Sequence, residues 1–439
     1  MPLPNLRNRT INEANLRAFM DELDGLRRDN PGRPLILYTS FSFSHNYLKL
    51  LKQLRAGGAL IALHLADGFM CGTVPLADLR QQGYFDALLV SNPYVLELPH
   101  LAENYPFDAV HASVGTGSPY AFAELVRRAK CPVIIDYFDF REVMHGGDET
   151  IGKNFGITDM ALELELWRQV FTLATGILYL DSPEVLEDLS RRHAHRPKAL
   201  HFQSYVLDEW LAPDPAALRG PKDRLPRDIV FAGGLHKPSQ HGYACHGSFF
   251  GGIRRVMDQG FSFCIINGSD PGGNNPGSGE GFECYLDMAR QRPDFSYEPA
   301  LPNDRLAARL ADFELGWNAQ NLNEGAEKPY YFRTLMGSKL YNYLEAGLPC
   351  VVATESAYVA DFVRTKNIGL ALCWADWDRF GELARRADWA EIRASVARVR
   401  RESTMARHAP RLYSFYNDIA GRRLFTAPDG LWRQEGDTL

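Results

Sequence analysis

The stretch "GSKLYNYLEAGLPCVVAT", residues 337 to 354, gathers the residue types that could hold an anion. Its pattern predicts a helix that opens at Ser338 and stops at Gly347, with Pro349 and an apolar strand behind it. Ser338 is placed to cap the first turn. The open N–H groups there, the positive end of the helix dipole and Lys339 would face a group such as a pyrophosphate. Asn342 and Glu345, further along the helix, rise from the same end and could bind the hydroxyl pair of a ribose. An ordinary capped helix with a glycine stop reads the same way locally, so the surroundings must decide.

Other stretches imitate well-known sites and fall short. "GGDETIGKN" (146–154) has Gly147, Gly152 and Lys153 of a phosphate-binding loop, but no strand ends just before Gly147. Asn154 also stands where a metal-coordinating hydroxyl is needed. "GTGSPY" (115–120) begins like a dinucleotide fingerprint, yet Tyr120 takes the third glycine position, which disfavours hydride transfer to NAD. "DWD" (376–378) has the spacing of a metal-holding DxD, but it follows an apolar strand at an expected helix start, where Asp is a cap. "HKPSQHGYACH" (236–246) holds His236, His241, Cys245 and His246 at no tetrahedral zinc spacing, and reads as a substrate-facing loop.

The elements around these residues form a regular series. Apolar runs at 34–40, 58–65, 85–91, 107–113, 131–138 and 176–182 alternate with helical patterns, as parallel βα units do. Prolines and mixed charges then crowd 211–228, which cannot form a regular element. A second series follows at 228–234, 261–268, 294–300, 312–318, 348–354 and 368–374. The expected fold is α/β, with two doubly wound, Rossmann-like domains facing across a cleft. The first spans 1–212, a linker 213–227, the second 228–404, and a final helix and tail 405–439 cross back to the first.

Composition narrows the partners. The 439 residues are 45% hydrophobic and 23% charged, with a net charge of −6, so a nucleic-acid surface is not expected. Seven scattered cysteines without a CxxC pair indicate reduced thiols, and no apolar leader or run long enough to span a membrane occurs. A cytoplasmic protein is expected. From Arg385 to Arg423 ten arginines face four acids, a net +6 that is either a solvated helix face or a peripheral contact with anionic lipid.

The 337–354 stretch resembles the donor-site signature of two-domain glycosyltransferases of the GT-B fold, group 1-like, read as K-L-x-E-Y-L-x-A-G-x-P-V-V. The resemblance extends to "DIVFAGGLHKP" (228–238) and "EPALPNDRLAARLADFELGWN" (298–318), and covers 228–375 by motif. It implies a hexosyltransferase that moves a sugar from a nucleotide-diphosphate sugar to an acceptor hydroxyl on a glycan, lipid-linked or protein acceptor, without a metal or other cofactor. Lys339 and the amides near Ser338 would hold the diphosphate. Gly233 and Gly234 would let the backbone approach the sugar or phosphate, with Lys237 nearby, and the backbone at Ala300 and Leu301 would contact the base. The usual ribose-binding Glu falls on Asn342 and its partner carboxylate on Thr334, a departure that Glu345 could compensate.

An inverting transfer also needs a base from the first domain. Candidates at its strand ends are His45, His111, Asp139 and His145, with Asp139 and His111 foremost. "GGDETIGKN" follows Asp139 and would be an acceptor-side wall or a surface loop. Two rivals share the architecture: a sugar-nucleotide epimerase, and a binding protein without catalysis.

Overall fold

The computed structural model describes residues 13–40, 45–66, 76–91, 97–114, 119–137, 140–145, 157–213, 215, 218, 224–235, 245–270, 279–319 and 329–433. Two compact units divide the chain. One comprises the segment up to Cys71, Pro75–Gln203 and His408–Thr438, and the other is built on Ser204–Arg407.

In the first unit, β1 (Leu35–Ser40), β2 (Leu60–Ala66), β3 (Ala87–Ser91), β4 (Ala109–Val114), β5 (Val133–Tyr137), β6 (Gly176–Tyr179) and β7 (Ala199–His201) form one parallel sheet. Its order is β3-β2-β1-β4-β5-β6-β7. The second unit has β8 (Asp228–Gly233), β9 (Ser262–Asn267), β10 (Phe295–Pro299), β11 (Leu315–Asn318), β12 (Cys350–Ala353) and β13 (Gly369–Leu372), ordered β10-β9-β8-β11-β12-β13, again parallel. Strand order reverses at β1/β4 and at β8/β11, so both units are doubly wound, as the two series predict. Sheets covered on both faces bury nearly every strand residue, as β1 and β4 do, which is why the strands appear in the sequence as unbroken apolar runs. The short edge strand β7 was not among the expected runs.

The first unit ends earlier than composition suggests, and hydrogen bonds explain why. Leu207 N–H donates to Glu345 Oε1 at 3.0 Å, and Ala212 C=O accepts from Arg400 at 2.8 Å. Val206 also forms a parallel bridge with Thr404. The segment after Ser204 is thereby built into the second unit, including the described start of the proline-rich stretch.

The helix Met405–Ala420 runs from the second unit into the first. Within the first unit its Tyr416 hydroxyl meets His111 Nδ1 at 2.6 Å, and its Tyr413 hydroxyl donates to Gln53 C=O at 2.7 Å. Ile419 and Phe415 pack so closely over Gly176 that a side chain there would overlap them. Tyr413, Phe415, Tyr416 and Ile419 of this helix are thus packed within the first unit.

Of the ten arginines between 385 and 423, Arg393 and Arg400 are buried and donate to main-chain carbonyls of Arg224 and Ala212. The unit boundary at Arg407 divides the rest, so the run is not one continuous face of a single unit. Among the described residues, no helix is long and apolar enough to cross a membrane.

A buried polar chain lies across the first sheet. His64, 2% exposed, faces Thr39 Oγ1 through Nδ1 at 2.8 Å and Ser91 Oγ through Nε2 at 2.6 Å, tying β2 to β1 and β3. Burial lowers its pKa to about 4. The fold therefore favours neutral His64, and its contribution is complete above the unfolded pKa near 6.5 and lost as pH falls towards 4. The slope is up to about 1.4 kcal/mol per pH unit in that window. In urea unfolding of the full chain, the stability gap between wild type and His64→Gln is expected to shrink from pH 7 to pH 5. An unchanged gap would mean that His64 does not titrate in this way.

Candidate functional site

The helix Lys339–Glu345 has only seven residues, and Leu340 to Glu345 are all buried. Propensity alone cannot hold so short a helix, so packing must. Tyr343 supplies the central contact. β8 and β11 pair only through Ile229–Leu315 and Val230–Gly316, and then part. Just beyond, the Tyr343 hydroxyl accepts from Ala232 N–H at 3.1 Å and donates to Trp317 C=O at 2.8 Å. Its ring lies over Gly316, where any side chain would overlap it. Burial pushes the phenol pKa up, so the hydroxyl keeps the proton that it donates.

Lys339 is four residues before Tyr343 and shares its face of the helix. Its side chain crosses Gly233, the last residue of β8. A Cβ on Gly233 would overlap Lys339 Cε and lie 3.3 Å from Nζ, so a side chain there would push the end of the lysine off this path. Nζ is 5.7 Å from the centre of the Phe231 ring. Lys339 and Gly233 thus meet at the carboxyl end of β8, at the point of strand reversal where doubly wound sheets place their ligands. Gly234 follows against Ser269, and a Cβ there would be 2.8 Å from Ser269 Oγ.

The other residues of the motif take different parts. Asn342 is 8% exposed, and its Oδ1 is buried without a hydrogen-bond partner among the described residues. Such an orphan acceptor is costly in a folded protein and calls for an explanation. Ser338 does not cap the helix as expected. Its side chain makes no capping bond, because the residue already has helical angles (φ −82°, ψ −21°). Glu345 is 2% exposed, and its Oε1 is committed to Leu207 N–H. That carboxylate anchors the incoming chain instead of facing Asn342's end of the helix. Thr334 donates to the carbonyls of Tyr330 and Tyr331 in its own turn, at 3.0 and 3.1 Å. Ala300 N–H donates to Asp270 C=O at 2.8 Å, and Ala300 and Leu301 are half-buried.

"DWD" does sit at a helix start. Asp376 Oδ2 accepts from Cys373 N–H at 3.1 Å in a capping box, and Arg379 and Arg255 pair with Asp376 and Asp378.

In the first unit, His111 lies in the core with no exposed surface. It stacks on Tyr38 with ring centres 4.6 Å apart, and its Nδ1 meets Tyr416 while Nε2 lies 3.3 Å from Asp136 Oδ2. Ser113 Oγ donates to the same Asp136 oxygen at 3.2 Å. Both ring nitrogens are therefore engaged inside the unit, which corrects the expectation that His111 reaches an acceptor. Asp136, passed over in the sequence in favour of Asp139, is its partner. Three positions apart in "DYFD", the two acids look alike, and only the register Ser113–Asp136 separates them. His45 opens the helix after β1 and His145 closes the short helix Arg141–His145, but both side chains lie outside the described residues. Asp139, Lys237, "GGDETIGKN" and His236 and His241 of the histidine-rich loop lie outside them too.

Two doubly wound Rossmann-like units, with the last helix returning to the first, constitute the GT-B fold of glycosyltransferases. No protein-family model and no curated protein matches this sequence. Among solved structures, the chain is similar to sucrose-phosphate synthase from Thermosynechococcus elongatus, with a TM-score of 0.57 and 12% identity over 89% of this chain and 100% of that one. It is also similar to LpCGTa, solved in complex with UDP, with a TM-score of 0.51 and 10% identity over 88% of this chain and all of the other. At these identities the likeness establishes the fold.

Replacing Tyr343 by Phe removes one hydroxyl and leaves Ala232 N–H and Trp317 C=O buried without that partner. The expected loss is about 1–3 kcal/mol in chemical unfolding of the full chain. A loss below about 0.5 kcal/mol would show that the hydroxyl is not what joins helix and sheet.

Proposed function

We propose that the protein is a glycosyltransferase that takes a sugar from a nucleoside-diphosphate sugar and passes it to an acceptor hydroxyl. The observation that carries this reading is the meeting of Lys339 with Gly233 at the β8/β11 reversal, one turn from the orphan Oδ1 of Asn342. A departing diphosphate gains negative charge, and a fixed ammonium beside a bare backbone opposes that charge without a metal. Gly233 and Gly234 admit the phosphates, Asn342 Oδ1 accepts from a ribose hydroxyl, and the backbone at Ala300 and Leu301 meets the base. The amides near Ser338 and the side chain of Lys237 are assigned to the same diphosphate. The solved complex of LpCGTa with UDP supports a nucleoside diphosphate as the ligand of this fold.

The base that activates the acceptor belongs to the carboxyl ends of the first unit's strands, with Asp139, His45 and His145 as the groups to test. The acceptor is a glycan, a lipid-linked sugar or a protein. Exposed arginines of the last helices, such as Arg398 and Arg401, are the groups that would meet anionic headgroups if it is lipid-linked.

Calorimetric titration of UDP, GDP, CDP and dTDP tests the donor site directly. Wild type is expected to bind one of them, and Lys339→Ala to lose at least tenfold in affinity, about 1.4 kcal/mol or more. Absence of binding by wild type at millimolar concentration would remove the basis for the transferase reading and favour a binding protein with another ligand.

A further inference from the structure

At the carboxyl end of β9, the fully buried Asn267 bonds in two directions. Its Oδ1 accepts from Leu235 N–H and from Ser269 N–H, both at 3.0 Å, fixing the turn behind Gly233 and Gly234. Its Nδ2 donates to the Tyr297 hydroxyl at 2.9 Å, and that hydroxyl donates in turn to Asp270 Oδ2 at 2.8 Å. Asp270, 1% exposed, also accepts Gly279 N–H on Oδ2 at 3.1 Å and Ala300 N–H on its main-chain carbonyl at 2.8 Å. One continuous path of hydrogen bonds therefore joins the glycine turn after β8 to the segment after β10.

A buried network that includes a carboxylate is a poor source of net stability compared with apolar packing, and its effect is to specify one arrangement of the backbone it joins. Here the joined pieces are the two backbone segments assigned above to the two ends of one ligand. We propose that Asn267, Tyr297 and Asp270 are positioning residues that hold the glycine turn and the Ala300–Leu301 segment in register, so that one nucleoside diphosphate is gripped at its phosphates and its base together. The inference deepens the donor-site reading and rests on it. A ligand that bridges both segments gains from their being ordered beforehand, whereas one that touches only the glycine turn does not.

Tyr297→Phe separates the two cases. It keeps the ring against Phe282 and Tyr285 and leaves both backbone bonds of Asn267 Oδ1 in place, while removing the hydroxyl that accepts from Asn267 Nδ2 and donates to Asp270. The probes are UDP, GDP, CDP and dTDP, titrated by calorimetry, and inorganic pyrophosphate, measured by its competition against whichever nucleotide binds. Tyr297→Phe is expected to weaken the nucleoside diphosphate about tenfold or more while pyrophosphate changes less than about threefold, so the ratio of the two affinities collapses. A ratio equal to that of wild type, with or without a lower melting temperature, would overturn the inference and leave the network a purely structural one. Failure of pyrophosphate to compete in wild type would overturn it as well. If wild type binds no nucleotide at all, the donor-site reading falls and takes this inference with it. If Lys339→Ala abolishes binding while the Tyr297→Phe ratio is unchanged, only this inference falls.

Discussion

A single phenolic hydroxyl sits where the second sheet opens. Parallel strands satisfy one another's backbone groups only while they run together, and at the reversal point of a doubly wound sheet two neighbours diverge. Tyr343 takes up the amide that β8 no longer gives to β11 and the carbonyl that β11 no longer gives to β8. The same contact locks a helix too short to persist by itself, and thereby sets where Lys339 lies. A charged side chain on a flexible stem becomes useful at an anion site only when its base is immovable, and here the base is stitched to the sheet itself.

The far end of that helix is held equally firmly. Glu345 grips Leu207 with its carboxylate and Arg400 with its main-chain carbonyl, and Arg400 also reaches Ala212. The seven residues from Lys339 to Glu345 thus lie between the reversal point and the chain entering from the first unit. Asn342 lies between these anchors, and its Oδ1 is a buried acceptor without a partner among the described residues. A rigid frame with one unsatisfied acceptor is the condition under which a ligand hydroxyl contributes most, because the cost of leaving that group dry is already present before binding.

Much of this architecture is visible in the amino-acid order, for identifiable reasons. Parallel strands inside a layered fold appear as apolar runs, so twelve expected runs became β1 to β6 and β8 to β13. β7 escaped because it is only three residues long, with Leu200 buried between two half-buried neighbours, and leaves no such run. The helix, its glycine end and Lys339 were legible from spacing. What spacing could not show was the third dimension. Tyr343 looks like one more core aromatic until β8 and β11 are seen to part beneath it. Glu345 looks like a ligand group until Leu207 arrives from 138 positions away. His111 reads as a base at a strand end until Tyr38 and Tyr416 close over it. In each case the deciding partner is remote in sequence, and local pattern carries no information about it.

The helix Met405–Ala420 also has a bearing on how the chain is made. The core of the first unit includes Tyr416, Phe415 and Ile419, which lie beyond the whole of the second unit in the chain. A ribosome delivers residues in order, so the first sheet must wait, with His111 and Gly176 uncovered, while some two hundred residues of the second unit are synthesised. The second unit is built mainly on one stretch, Ser204–Arg407, which can close on itself as it emerges. The unit encoded first is therefore the one completed last, and a chain interrupted before Tyr416 would leave His111 and Gly176 without the side chains that cover them.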